Sequence, residues 1–376
     1  MKKVHFLIFI FFLFLFQNCR KTNEYKIAVA LPLTGDLASL NEGILRAINL
    51  AATEEKEVIP FPVKIVPYDD RADPREGVAV AKRISSDKKV LAVIGHFNSG
   101  VSIPAAQIYA RAGILMITPA ASNPKLTYQQ LDSEPWINGA KKNVFRTNTI
   151  DDVQGRFGAE YMFKKLKVRA ASIIHDKTAY GQGIADEFKK DYLEIGGRVL
   201  SYDGIQVGDR DFIALLTKIK TLNPQGVYFG GIFNEGALIV KQAKEVGLGA
   251  AFLLSEANLD PEFLNIAGDS ARDTYVTFLG APPEQTPTAK QFIKSYREKY
   301  PDNEIKAYDH YGYEATKIAL EAIKNCGTDR SKIIDYLRSI KYKGVLGVTK
   351  FDEKGDTLNK KISVFKVKDK KFVFVE

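Results

Sequence analysis

Residues 90–118 read VLAVIGHFNSGVSIPAAQIYARAGILMIT. Val90–Ile94 is an unbroken, β-branched apolar run that stops at Gly95. Ser99 opens a helix-length stretch to Ala112, and Gly113–Thr118 (GILMIT) returns to an apolar strand. A strand with no polar alternation is buried on both faces. Two such strands joined by a helix form a parallel βαβ unit, because a parallel pair needs a crossover of a dozen or more residues.

Working outward, the same alternation repeats. Upstream lie the strand Lys26–Leu33 (KIAVALPL) and a helix over Glu42–Thr53, with Asn41 as its cap and Ile44, Ala47, Ile48 and Ala51 at helical spacing. The strand Val63–Tyr68 and a helix over Arg75–Ser85 follow, the latter capped by Asp73 with Pro74 in the tolerated first turn. Downstream the series restarts with a helix from the cap Asp151 to Lys165. Strands at Ala170–His175, Val199–Ile205, Val227–Ile232 and Ala251–Ser255 then alternate with helices at Gln182–Glu194, Phe212–Thr221 and Glu235–Val246. Two series in one chain predict an α/β protein of two doubly wound, Rossmann-like lobes. The tail adds the strand Tyr275–Phe278, helices near Thr288–Tyr300, Asp309–Lys324 and Ser331–Ile340, and strands at Leu346–Phe351, Ile362–Val367 and Phe372–Val375.

The N-terminus sets the compartment. Lys2 and Lys3 precede the apolar run Val4–Phe16, broken only by His5, and Gln17-Asn18-Cys19 follows. Spanning a bilayer takes about 20 apolar residues, so this run is a signal-peptide core within residues 1–18. Cys19 stands where cleavage falls and resembles the lipidated cysteine of bacterial lipoproteins. An ordinary cleaved signal with a stray cysteine is the alternative. Residues 19–24 then form a tether, and the product is an exported periplasmic or cell-envelope lipoprotein. With Cys19 lipidated, Cys326 has no disulfide partner and reads as a small packing residue. Removing Lys2 and Lys3 lowers the net charge from +9 to +7. The remaining basic residues are scattered, which excludes a nucleic-acid groove.

Several stretches resemble the periplasmic leucine/isoleucine/valine-binding proteins, the receptor components of branched-chain amino-acid ABC transporters. They are YDDRADP (68–74), VAVAK (78–82), Ile94-Gly95-His96, GILMITPAASNP (113–124), IIHDKTAYG (173–181), Phe229-Gly230-Gly231, NIAGD (265–269) and FDEKGD (351–356). The resemblance implies a type I periplasmic-binding fold with a three-crossover hinge. Residues 25–147 plus 279–344 would form lobe one, and 148–278 plus 345–376 lobe two. It also implies permease and ATPase subunits as partners, a monomer, and no cofactor.

A free amino acid presents a carboxylate, an ammonium and a side chain. The carboxylate needs hydroxyls and N–H groups at a helix N-terminus. Ser99 and Ser122 follow buried strands at their carboxyl ends, where open α/β sheets bind ligands. Locally, Ser99 reads equally as a plain helix cap. The resemblance assigns Ser99 and the Ala121-Ser122 turn to the carboxylate and Glu256 to the ammonium. It assigns Tyr180, and less directly Tyr308, to the pocket wall. Leu40 and Ile232 stand where the family carries aromatics, which leaves the ligand's side chain open. The enteric members' disulfide cysteines are Ala72 and Asn98 here.

Enzyme signatures are missing. No Gly-Lys-Ser/Thr P-loop, no Gly-x-Gly-x-x-Gly after the first strand and no Gly-x-Ser-x-Gly elbow occurs. His5, His96, His175 and His310 have no metal-ligand spacing, and His96 and His175 read as turn anchors at strand ends. The expected function is therefore capture of an apolar amino acid for import, without catalysis or a metal. The alternatives are a short amide, urea-like or aromatic carboxylate ligand, or a sensing receptor.

Overall fold

The computed structural model describes residues 24–376. The expected signal peptide, Cys19 and all of the tether but Glu24 lie outside the described residues. Strand β1 (Tyr25–Leu31) leads to helix α1 (Ala38–Glu54), β2 (Val63–Asp69), α2 (Pro74–Ser86), β3 (Val90–Gly95), α3 (Ser99–Arg111), β4 (Leu115–Thr118), α4 (Lys125–Asp132) and β5 (Val144–Arg146). The strands form a parallel five-stranded sheet in the order β2-β1-β3-β4-β5. Every residue of β3 and β4 is buried, as their unbroken apolar sequences require.

The second series runs α5 (Asp151–Glu160), β6 (Ala170–His175), α6 (Gly181–Glu194), β7 (Arg198–Gly204), α7 (Ile213–Thr221), β8 (Gly226–Gly230), α8 (Phe233–Glu245), β9 (Ala251–Leu254), α9 (Pro261–Ala267) and β10 (Tyr275–Phe278). Next come α10 (Lys290–Lys299), α11 (Asp309–Cys326), α12 (Arg330–Ser339), β11 (Tyr342–Gly344), β12 (Gly347–Thr349), β13 (Ser363–Lys368) and β14 (Lys371–Phe374). The second sheet is ordered β14-β13-β10-β9-β8-β6-β7, parallel up to β10 and antiparallel at β13 and β14. Helix α11 packs on α1, β3 and β4, and α12 packs on β4, so the chain returns to the first sheet after β10. It then passes back to the second at β13. The molecule thus has two α/β lobes.

Several local expectations change. Helix α1 begins at Ala38, and Asn41 is not its cap but donates its Nδ2 to Leu37 O at 2.9 Å inside the first turn. Asp151 is the first residue of α5 rather than its cap, which is Ile150. The α-helix stops at Glu160, and Tyr161–Lys165 continue as a wider π turn. Asp73 does cap α2, accepting from the N–H of Arg75 (2.7 Å) and Glu76 (3.0 Å), an arrangement worth about 1 kcal/mol. The Leu346–Phe351 strand shrinks to β12, which pairs with β11. Just beyond it, Asp356 bridges Arg146 at the edge of the first sheet. Among the described residues, no helix is long and apolar enough to cross a membrane.

Candidate functional site

The carboxyl ends of β3 and β4 each carry a turn that buried polar groups hold in shape. His96, just past β3, has its Nδ1 2.6 Å from Asp70 Oδ2 and its Nε2 3.0 Å from the Tyr109 hydroxyl, all three residues fully enclosed. Its carbonyl accepts from Thr118 Oγ1 (2.8 Å) and Ser102 Oγ (3.3 Å). This is the turn-anchoring role expected of it. His175 acts likewise, its Nδ1 accepting from Lys177 N at 3.2 Å. Asn98 then takes the cap position of α3, and Ser99 becomes the helix's first residue, where N–H groups lack intrahelical partners. The Ser99 hydroxyl accepts from Asn123 N at 3.2 Å and so joins the two turns.

The Ala120–Asn123 turn is fastened from below by Arg146, whose side chain is entirely buried. Its guanidinium donates to Ala121 O (3.0 Å), Asn123 O (3.2 Å) and Thr127 Oγ1 (2.7 Å). Its Nε lies 2.6 Å from Asp356 Oδ1, an ion pair that is off hydrogen-bond alignment. Thr118 Oγ1 accepts from Ala121 N (2.9 Å), and Asn148 donates to Ala120 O (2.9 Å). Ala121 therefore contributes backbone to a fixed turn.

From the second sheet come Tyr180, Ile232 and Glu256. Tyr180 caps α6, which sits hard against the strand ends: a Cβ on Gly181 would meet Asp176 Oδ1 at 2.2 Å and Gly230 O at 2.6 Å. Only glycine allows that approach. Ile232 caps α8. Glu256 opens a short turn after β9 that Ser255 and Asn258 pin to the Gly231 carbonyl at 3.1 and 3.0 Å.

These turns face one cavity, lined by Phe97, Asn98, Ser99, Ala120, Ser122, Tyr180, Ile232, Glu256, Ala257 and Tyr308. Six of the eight residues expected at the site line it directly: Ser99, Ser122, Tyr180, Ile232, Glu256 and Tyr308. Ala121 lies immediately behind. Leu40 does not line it and is part of the apolar core. Tyr308 stacks edge-on against Phe97, with ring centroids 5.2 Å apart. Phe97 and Asn98 escaped the sequence reading although they directly precede Ser99 in the same strand-to-helix turn.

The lining and the start of α5 behind it are rich in unsatisfied polar atoms. The hydroxyls of Ser122 and Tyr180, one carboxylate oxygen of Glu256 and both of Asp151 are buried without a hydrogen-bond partner. Burial pushes the Glu256 carboxyl up to about 7, partly offset by the facing Tyr180 hydroxyl and Gln154 amide, neither of which completes a well-aligned hydrogen bond to it. Burial also lifts the Tyr180 and Tyr308 phenols far above their usual range, so both stay protonated donors. Such a set of unmet donors and acceptors suits a small ligand bearing both charges. Two contacts cross between the lobes beside the cavity. Asn123 Nδ2 donates to Ala179 O at 2.6 Å, and Lys306 Nζ lies 3.7 Å from Asp260 Oδ2. Among the described residues no group of His, Cys, Asp and Glu is arranged to hold a metal.

Residues 24–371 match the periplasmic binding protein family. The chain is 37% identical over 337 residues to the Leu/Ile/Val-binding protein homolog 1 of Brucella suis, covering 88% of this chain and 86% of that one. It is 35% identical over 345 residues to the leucine-, isoleucine-, valine-, threonine- and alanine-binding protein of Pseudomonas aeruginosa, covering 90% and 89%. Its fold is similar to the crystal structure of a leucine-binding protein from Thermotoga maritima, with a TM-score of 0.85, 31% identity and coverage of 94% of this chain and 98% of that one.

Proposed function

Because the chain belongs to the periplasmic leucine/isoleucine/valine-binding protein family, we propose that it is the extracytoplasmic receptor of an ABC transporter, that it takes an apolar, branched-chain-type amino acid between its lobes, and that Cys19 tethers it to the membrane through lipid. The observation that carries this reading is the cavity itself: hydroxyls and a helix N-terminus on one side, a buried carboxylate and a phenol on the other.

In this reading the ligand's carboxylate meets Ser99, the first turn of α3 and Ser122. Its ammonium meets Glu256, with Tyr180 donating beside it. Phe97, Ile232 and Tyr308 surround the aliphatic side chain. Neither half holds the whole ligand, so capture requires closure of the lobes about their crossovers. We place lobe one at residues 25–147 and 279–357 and lobe two at 148–278 and 358–376. The segment 345–357 joins lobe one because Asp356 bridges Arg146 and Phe351 packs edge-on against Phe145.

A thermal-shift screen tests this. Leucine, isoleucine, valine, a short amide and benzoate are each added to the mature protein. A ligand bound only by the folded state raises the melting temperature by mass action. We expect shifts with the amino acids. A shift with benzoate or the amide and none with any amino acid would sink the ammonium assignment.

A further inference from the structure

Basic residues are scattered along the sequence, but the fold gathers a group of them where the chain enters lobe one. The carboxyl ends of the strands face the cavity, so the strand starts form the outer pole of each lobe. Strand β1 begins at such a pole: Lys26 N donates to Lys89 O at 2.9 Å, and Lys26 Nζ reaches Asp87 at 2.7 Å. Arg330, at the start of α12, knits this pole together by donating to Val90 O (2.8 Å), Asp87 O (2.9 Å) and Ala112 O (3.3 Å). Arg338 donates to Lys142 O just ahead of β5. The turn before β3, the end of α3, the turn before β5 and α12 thus form one continuous surface at the start of β1.

The charges on this surface are unequal. Its acids are already taken: Asp87 by Lys26, Asp335 by Lys141, and Asp329 by Lys332 at 3.7 Å. Among the described residues, Lys88, Lys89, Arg111, Lys142 and Arg338 form no salt bridge, and all but the half-buried Lys142 are exposed. Glu24 sets one negative charge against these five. Beyond β1, toward β2, charges of both signs alternate (Glu54, Glu55, Lys56, Glu57), and Lys317 pairs with the first two. The pole of lobe two differs. Its basic turn between β13 and β14 lies beside the start of β10, and there Lys366 pairs with Asp273, Lys370 with Asp269 and Arg272 with Asp369.

We propose that the α12 side of this pole is a membrane-resting surface, whose unpaired lysines and arginines lie on the negatively charged headgroups of the bilayer that holds the anchor. The inference rests on the lipid-anchor reading of Cys19. Five peptide units separate Cys19 from Glu24, so lipid on Cys19 keeps the start of β1 within about 18 Å of the bilayer. Each lysine or arginine near an anionic surface raises partition about fivefold, which is weak singly. The tether supplies a high local concentration, so a few such contacts suffice. The cavity lies at the other end of these strands, about 20 Å away, and stays clear of the lipid.

The test uses the whole mature chain carrying Cys19→Ser, which separates the surface from the anchor. At about 0.01 M salt it should sediment with vesicles of phosphatidylglycerol and phosphatidylcholine but not with phosphatidylcholine alone, and about 0.15 M salt should release most of it. Lys88→Gln, Lys89→Gln, Arg111→Gln and Lys142→Gln combined should lower partition about a hundredfold or more. Lys366→Gln, Lys368→Gln, Lys370→Gln and Lys371→Gln combined should lower it by less than about fivefold, since two of these lysines are already paired. A fluorophore on Cys326, the one cysteine left, sits 3.5 Å from Lys332 O of α12 and should be quenched by phosphatidylglycerol spin-labelled on its headgroup. Equal losses in the two combined variants, sedimentation with neutral vesicles, or an unquenched fluorophore on bound protein overturns the proposal. The quenching arm keeps every basic residue and decides the matter even where the combined variants fail to fold. A wild type without lipid on Cys19 ends the anchor reading, while the vesicle measurements still read the surface itself.

Discussion

Replacing Glu256 by glutamine should strengthen the fold and abolish the function together. Glu256 is buried, and burial raises its carboxyl from 4.5 to about 7. The folded state therefore holds this proton more tightly than the unfolded chain. A raised acid contributes no penalty below about 4.5, a growing one between 4.5 and 7, and its full penalty above 7. At 1.36 kcal/mol per pKa unit, the difference amounts to about 3 kcal/mol at pH 8. Glutamine keeps the shape and removes the charge. Ligand-free Glu256→Gln should thus melt several degrees above wild type at pH 8, and the two melting curves should converge toward pH 4.5. Binding should move the opposite way. An ammonium enclosed without its carboxylate costs about 3–5 kcal/mol, or roughly two to three and a half orders of magnitude in affinity. Thermal denaturation at pH 5 and 8, with calorimetric titration of leucine at pH 8, measures both arms. A variant no more stable than wild type at pH 8 would show that Glu256 is not confined as described. Unchanged affinity would refute its pairing with the ammonium.

Three further outcomes follow from named contacts. Ser99→Ala removes a hydroxyl but leaves the helix N–H, so leucine affinity should fall by about 1–3 kcal/mol, less than in Glu256→Gln; a larger loss in calorimetry would reverse the assigned ranking. Arg146→Ala leaves Asp356 buried and unpaired and frees the Ala121 and Asn123 carbonyls, so denaturant unfolding should show a loss of about 3–5 kcal/mol, and a loss below 1 kcal/mol would mean that water replaces the guanidinium. Cys19→Ser should move the protein from the membrane fraction to the soluble one, and a wild type already soluble and free of lipid would end the anchor reading.

The central strands of the sheets were legible because they are short, largely apolar runs set between turn and helix signals. Val90–Ile94 and Ala170–His175 are such runs, and both are buried throughout. Boundaries were harder where a polar side chain satisfies itself inside a helix. Asn41 looks like a cap and instead bonds back to Leu37. Strand β5 went unread because three residues carry no period. Helix α9 also went unread, although Asp260-Pro261 is a cap followed by a first-turn proline and would have marked it. Strand ends brought Ser99, Ser122 and Glu256 to the cavity, because the turns that line it follow buried strands. Leu40 lies in the core and not on the cavity, since its position after the first strand says nothing of which face α1 turns inward. Asp151 was read as a cap because an acidic residue at a helix start fits the cap and the first helical position equally, and it takes the latter.

The contacts that cross between the lobes bear on timing. Asn123 donates to Ala179 O at 2.6 Å, and Lys306 approaches Asp260 at 3.7 Å while also donating to Ser39 at 2.7 Å. On the proposed reading, none of these side chains touches the ligand. On that same reading, departure of the ligand would wait until the Asn123 bond breaks and the Lys306 pair separates. Entry needs only an open mouth. Substitutions at Asn123 or Lys306 should therefore shorten the ligand's residence time while leaving its arrival rate nearly unchanged. The interval for which the receptor stays loaded on its way to the permease would then be adjustable without altering which amino acid it selects.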